Sequence, residues 1–219
     1  MATSTIARST TTAPPTQRVM LTGVRWETYE ALLRDHLDRG MPHFTYDRGV
    51  LEIMSPSLTH EEDNRTIALL VEIVAEELDV DVRNVGSLTF KRRDLERGFE
   101  PDTGFYLQRE LVVRGLTRIS LGTDPPPDLL IEIEVSQPTL PKLPIYAEVG
   151  VPEVWTVGGA RVQILGLADG LYLEMDQSVA LPVLTATALS HFLRQGRSLS
   201  RTAWLRELRE WVRAESATD

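Results

Sequence analysis

The chain has 219 residues and no cysteine, which excludes disulfides, thiolate zinc sites and cysteine nucleophiles together. Apolar residues make up 42% and charged residues 25%, as in a soluble globular domain, and no apolar run reaches the roughly 18 to 20 residues that span a bilayer. The net charge of -9 argues against broad, non-specific nucleic-acid binding, while leaving room for a local basic groove or an acidic metal site. With no secretory signal and no cysteine, a cytoplasmic location is expected.

Residues 1–17 are rich in Ser, Thr, Ala and Pro and read as a disordered tail. Trp26, Tyr29, Leu32, Leu33 and Leu37 have the spacing of an amphipathic helix, ended by Gly40. Strands are expected at 44–46 and 50–54, around the turn Asp47-Arg48-Gly49. Ser57 or Thr59 caps a longer helix running to about Leu78, with Glu61, Glu62 and Asp63 at its positive end. Further strands are expected at 80–84, 87–92, 101–107 and 128–135, with a surface connector at 109–126. A short helix over 139–149 is weakened by Pro144, which fits best in a first turn, so its start shifts toward Leu143. Gly150 stops it. Strands at 153–157, 161–165 and 171–175 form a meander, and 186–214 is helical, with Trp204, Leu205, Leu208, Trp211 and Val212 on one stripe. These elements make an α/β domain with a mixed central sheet flanked by helices over 18–183, followed by a C-terminal helical extension over 184–219.

The chemistry concentrates in two runs, Phe99-Glu100-Pro101-Asp102 and the apolar stretch from Pro127 to Ser136. The second carries Glu132 and Glu134, which a strand would point to the same side. Buried acids need a cation, either a divalent metal or a lysine or arginine. If the two runs form neighbouring strands, Asp102 and Glu132 can share one hard cation, Mg2+ or Mn2+, with Lys142 beside it. Glu62, early in the long helix, is a further candidate ligand. Asp128 drops out, because along one strand it lies about 13 Å from Glu132.

These pieces resemble the PD-(D/E)XK nuclease superfamily, and more narrowly a bacterial restriction-endonuclease-like family. The resemblance rests on Glu52 to Ser57 followed by His60, on Glu100-Pro101-Asp102, and on Pro127 to Ile133. Its last piece is Lys142 to Ala147 with Gly150 to Trp155. It implies a restriction-endonuclease-like core and a metal-dependent endonuclease acting on DNA, with RNA left open as a substrate and a homodimer as the form that cuts both strands. It also implies that Asp102 and Glu132 bind the metal and that Lys142 is the catalytic lysine. The superfamily usually places that lysine two residues after the acid, where this chain has Glu134; in the narrower family the lysine lies on the following helix, at Lys142.

Plainer readings stand beside these. Asp102 and Glu132 can form a buried salt bridge with Lys142 or an arginine, and Glu134 can be a ligand or the partner of Lys142. His60 reads as a solvated or capping residue, with a catalytic role as the alternative, Tyr146 as core, and the Trp204–Trp211 stripe as helix packing or a dimer contact. Lys91, Arg92, Arg93 and Arg97 either grip phosphates or form a solvated hairpin end. The alternative function is a catalytically inactive nuclease fold that serves as an interaction or nucleic-acid-binding module.

Overall fold

The computed structural model describes residues 15–36, 41–134 and 140–217. The start of the expected tail, Leu37 and Gly40 at the expected helix end, and residues 135–139 after the second carboxylate run lie outside the described residues. In chain order the elements are β1 (Gln17–Thr22), α1 (Trp26–Asp35), β2 (His43–Asp47), β3 (Val50–Ser55), α2 (Leu58–Glu77), β4 (Arg83–Gly86), β5 (Phe90–Arg92), β6 (Arg97–Phe99) and β7 (Thr103–Tyr106). They continue as α3 (Glu110–Val113), β8 (Leu129–Ile133), α4 (Leu143–Val149), β9 (Glu153–Gly158), β10 (Arg161–Ala168), β11 (Leu171–Met175), α5 (Ala186–Ser198) and α6 (Arg201–Ser216).

The strands form two sheets. The larger is mixed, in the order β11-β10-β9-β8-β7-β4, with β8 and β9 parallel and every other pair antiparallel. Parallel neighbours need a crossover, and α4 lies within it. The smaller sheet is antiparallel, in the order β1-β3-β2-β6-β5. Two of its strands carry no readable pattern. In β1 the apolar residues Val19, Met20 and Leu21 are all exposed, so burial leaves no alternation, and Gln17 belongs to this strand rather than to a tail. β6 has three residues with a central glycine.

One face of the larger sheet carries the main core. Leu129, Ile131 and Ile133 of β8 pack there with Ile67, Leu70, Val71 and Val74 of α2, whose spacing is one helical stripe. Leu130 points the other way, into a second cluster with Ile145 and Tyr146 of α4 and Phe90 and Phe99 of the smaller sheet. The single C-terminal helix expected over 186–214 is two helices. The chain is extended at Leu199, and Ser200 caps α6 by accepting from the Ala203 amide. Both helices bury side chains in the main core, including Leu189, Phe192, Trp204, Leu208 and Val212. No helix among the described residues is long and apolar enough to cross a membrane.

Trp204 is fully buried, and its indole nitrogen donates to the Phe192 carbonyl at 2.8 Å. Trp204→Ala is expected to destabilise the whole domain by about 3–5 kcal/mol, read as a lower urea midpoint in one transition followed by far-UV circular dichroism. A second transition, with the first at the wild-type midpoint, would show that the C-terminal helices unfold separately from the sheet.

Candidate functional site

The chain passes from the smaller sheet to the larger at Glu100-Pro101-Asp102, between β6 and β7. Proline has no amide to give to a ladder, so the strand breaks there. Glu100 fastens the crossing: one carboxylate oxygen accepts the Phe44 amide at 2.8 Å and the other accepts the Thr89 hydroxyl. Burial raises its pKa. Asp102 is thereby delivered to the start of β7. β7 and β8 are antiparallel neighbours, with Thr103 opposite Ile131 and Gly104 opposite Leu130. One further step of that register puts Asp102 opposite Glu132.

The alternation of β8 turns Glu132 away from the α2 core and toward α4. Lys142 is the N-cap of α4 and Tyr146 lies one turn on, so the two share a side of the helix start. The Lys142 ammonium donates to Glu132 Oε2 at 2.7 Å, and the Tyr146 hydroxyl donates to Oε1. All three side chains are buried. Burial works against the charged form of Lys142, yet Glu132, Asp102 and Glu52 outweigh it, and its pKa is raised. Burial and the Asp102 charge raise the Glu132 pKa against the pull of Lys142. Burial, then Glu132, holds the Tyr146 hydroxyl well above its usual range. α4 is itself anchored by the buried Arg97, which donates to the Pro144 carbonyl at 2.8 Å and pairs with Glu148 and with Asp47.

Asp102 is less completely satisfied. Its Oδ2 accepts the Ile133 amide at 2.7 Å, and His60 Nε2 lies 3.1 Å from the same oxygen without hydrogen-bond alignment. Its Oδ1 is buried and has no partner among the described residues. Burial pushes the Asp102 pKa up, but His60, Lys142 and the Ile133 amide overcome it and the carboxyl sits below its ordinary value. Burial lowers the His43 pKa although Asp102 pulls it upward. Among the described residues, eight buried polar side-chain atoms lack a partner, and five lie on Arg18, His43, His60 and Asp102. Unmet hydrogen-bonding capacity therefore gathers here. Other buried carboxylates have more partners. Asp128 accepts the Leu107 and Arg109 amides, and Glu153 accepts from Trp155, Ser178, Val179 and Ala180.

The sequence expectations divide accordingly. Asp102, Glu132 and Lys142 come together. His60 is fully buried against Asp102, not solvated, because Ser57 caps α2 through the His60 amide and turns its ring inward. Glu62 is exposed on the outer side of α2, and the inward residues of that turn are His60 and Asp63, so Glu62 does not join the cluster. Glu134 lies past the end of β8, exposed, and it is Glu132 that takes Lys142. Glu134 still lines the cleft of about 330 Å³ that also borders Glu132, Lys142 and Tyr146. Asp102 borders a second cleft of about 700 Å³ with His43, Asn64 and Arg65. The basic cluster is already neutralised: Lys91 pairs with Glu30, Arg92 with Asp94, Arg93 with Glu27, and Arg97 is buried. Tyr146 reads as core in the sequence; its spacing from Lys142 was the available signal for its place at Glu132.

Lys142→Met is expected to cost about 3–5 kcal/mol at neutral pH, because it leaves Glu132 buried without a counter-charge. The unpaired Glu132 then holds a proton in the folded state above its unfolded pKa of 4.5, so the folded variant binds more protons than the unfolded chain. Its deficit should shrink as pH falls from about 8 to about 5, checked by urea unfolding of both proteins at each pH. A pH-independent deficit would contradict the pairing.

The family described as "Uma2: Putative restriction endonuclease" matches residues 26–201. No curated protein matches the chain. Four chains of solved structures match. One is described as "a putative nuclease belonging to DUF820 from Anabaena variabilis ATCC 29413", at 15% identity and a TM-score of 0.49, covering 74% of this chain and 98% of that one. The family match takes in α2, Asp102, Glu132 and α4 together, and on that extent the chain belongs to the Uma2 family of restriction-endonuclease-like proteins.

Proposed function

We propose that the protein is a divalent-metal-dependent endonuclease that hydrolyses phosphodiester bonds in DNA. The observation that carries this reading is the buried, ionised Asp102 with an oxygen left without a partner, set opposite Glu132 in the strand register. A buried carboxylate oxygen without a partner is costly unless a cation or water meets it. Magnesium suits the donors, since it is commonly held by one or two carboxylates and keeps several waters. No group of three or more His, Asp or Glu side chains able to hold a metal occurs among the described residues, so water and the substrate would complete the shell.

Asp102 and Glu132 would hold the ion, and Glu134, exposed at the cleft wall, stays outside that pair. When bound, the metal supplies Lewis acidity and a water of lowered pKa. The charges fit this use. Asp102 and Glu132 against Lys142 leave one negative charge, a divalent cation reverses it, and a phosphodiester restores neutrality. Lys142 keeps its ammonium at Glu132, where it can stabilise charge that develops on the phosphate or orient a water. Tyr146 fixes the other Glu132 oxygen and so limits how the carboxylate turns.

A second reading has its own support. Both Glu132 oxygens are already engaged by Lys142 and Tyr146, as in a closed structural ion pair. On that reading the fold is a catalytically inactive binding module.

Plasmid cleavage in magnesium or manganese separates the two. The wild type is expected to nick or linearise DNA and to stop on chelation. Asp102→Asn and Lys142→Ala are each expected to lose about 100-fold or more in rate. Equal cleavage by all three proteins would locate the activity elsewhere. A wild type that cuts no DNA form under these conditions would favour the binding module, and preferential cleavage of a matched RNA would change the substrate.

A further inference from the structure

The Glu132–Lys142 cleft has a second cation in its wall, and it comes from outside the matched family span. Arg18 lies on β1, ahead of residue 26, and lines the same cleft as Glu132, Glu134, Lys142 and Tyr146. β1 pairs with β3 so that Arg18 faces Met54 and Met20 faces Glu52, which sets Arg18 diagonal to Glu52 on one side of the sheet. Arg18 Nη1 donates to Glu52 Oε1 at 3.2 Å, and Glu52 Oε2 accepts the Leu140 amide at 3.3 Å. That is the guanidinium's one hydrogen bond to a described residue. Its Nε is buried without a partner among the described residues, and the side chain is 11% exposed.

The free edge is the one that matters. Nε and Nη2 together form one side of the planar guanidinium, suited to two parallel bonds to an oxyanion. Other arginines of this chain use that edge to hold carboxylates: Arg92 grips Asp94 with it, and Arg197 grips Asp63. In Arg18 the same edge is unspent. Glu52 engages the opposite nitrogen, which orients the group without occupying that edge.

We propose that Arg18 binds a phosphate of the substrate backbone through this edge, in the cleft beside Lys142. This rests on the nuclease reading for the identity of the substrate. It makes β1 a part of the site rather than an appended strand. The ion pair with Glu52 fixes the guanidinium, and Lys142 supplies the second positive charge along the path of the nucleic acid.

The test uses the full chain and a fluorescent DNA duplex, with calcium supplied in place of magnesium so that binding is read apart from turnover. Arg18→Met is expected to weaken binding about 10-fold or more and to reduce the slope of log affinity against log salt by about 0.9. Arg18→Lys should lose less. Removing both members of the ion pair, in Arg18→Met with Glu52→Gln, should bring the urea midpoint back toward wild type and leave the binding defect in place. Recovery of binding in the double variant, or wild-type binding by Arg18→Met, would overturn the proposal and leave Arg18 as the counter-charge of Glu52. The nuclease reading fails separately: a wild type that binds DNA through Arg18 and never cuts it removes that reading alone. A wild type that neither binds nor cuts DNA removes both.

Discussion

A carboxylate on the inner face of an apolar strand is the constraint around which this molecule is built. Glu132 sits among Leu130, Ile131 and Ile133, where an unpaired charge would cost several kcal/mol. Lys142 and Tyr146 together meet both of its oxygens. That solution requires α4 to lie over β8 with its N-terminus at the level of Glu132. The helix is held there from the opposite sheet, through Arg97 to Pro144 and Glu148. The smaller sheet therefore does more than cover a core: it sets where the lysine arrives.

The same demand is met unevenly along the chain. Asp128 and Glu153 are buried acids with a structural duty, and backbone amides and side-chain donors engage them. Asp102 receives one amide and a misaligned imidazole, and one of its oxygens has no partner among the described residues. Consistency across packing, hydrogen bonding and charge is the rule in a folded domain, and departures gather where function asks for them. Among the described residues, five of the eight unpartnered buried polar atoms lie on Arg18, His43, His60 and Asp102, around the corner where α2 begins, the chain crosses between sheets and α4 starts. Folding energy elsewhere, including the Asp63–Arg197 pair that ties the α2 start to α5, holds that corner together.

The legible part of the sequence was whatever obeyed a local period or sat inside a short motif. The α2 stripe, the apolar run of β8, Pro144 in a first turn and Gly150 at a helix end all follow from local chemistry, whereas the approach of Asp102 to Glu132 was a condition on strand order that the β7–β8 pairing meets. The contributions of His60, His43 and Arg18 were not legible, because each depends on a contact across many residues. His60 turns inward only because Ser57 caps the helix one turn earlier, and a histidine at a helix start reads equally well as solvated. β1 hides for the opposite reason: its apolar residues are exposed on an edge strand, so no burial pattern marks it. Glu62 misled because its position near a helix start says nothing of which side of the helix it takes. The break between α5 and α6 was written at Ser200, a residue type that caps helices, but the continuous apolar stripe on either side masked it.

The origin of the lysine that meets Glu132 is on α4, not on β8. Ile133 is the last strand residue, and Glu134 beyond it is exposed at the cleft rim, whereas the buried partner of Glu132 comes from α4. The N-terminus of α4 lies over the inner face instead, and Lys142 needs only its flexible stem to reach the carboxylate. Moving the cation from strand to helix changes what controls it. A lysine on the strand moves with the acid it serves, whereas Lys142 is set by α4, and α4 by Arg97 on the other sheet. Relative motion of the two sheets would then alter the Lys142–Glu132 distance while leaving Asp102 bound to the Ile133 amide, so in this architecture the lysine, rather than the carboxylates, is the part of the site most exposed to changes elsewhere in the fold.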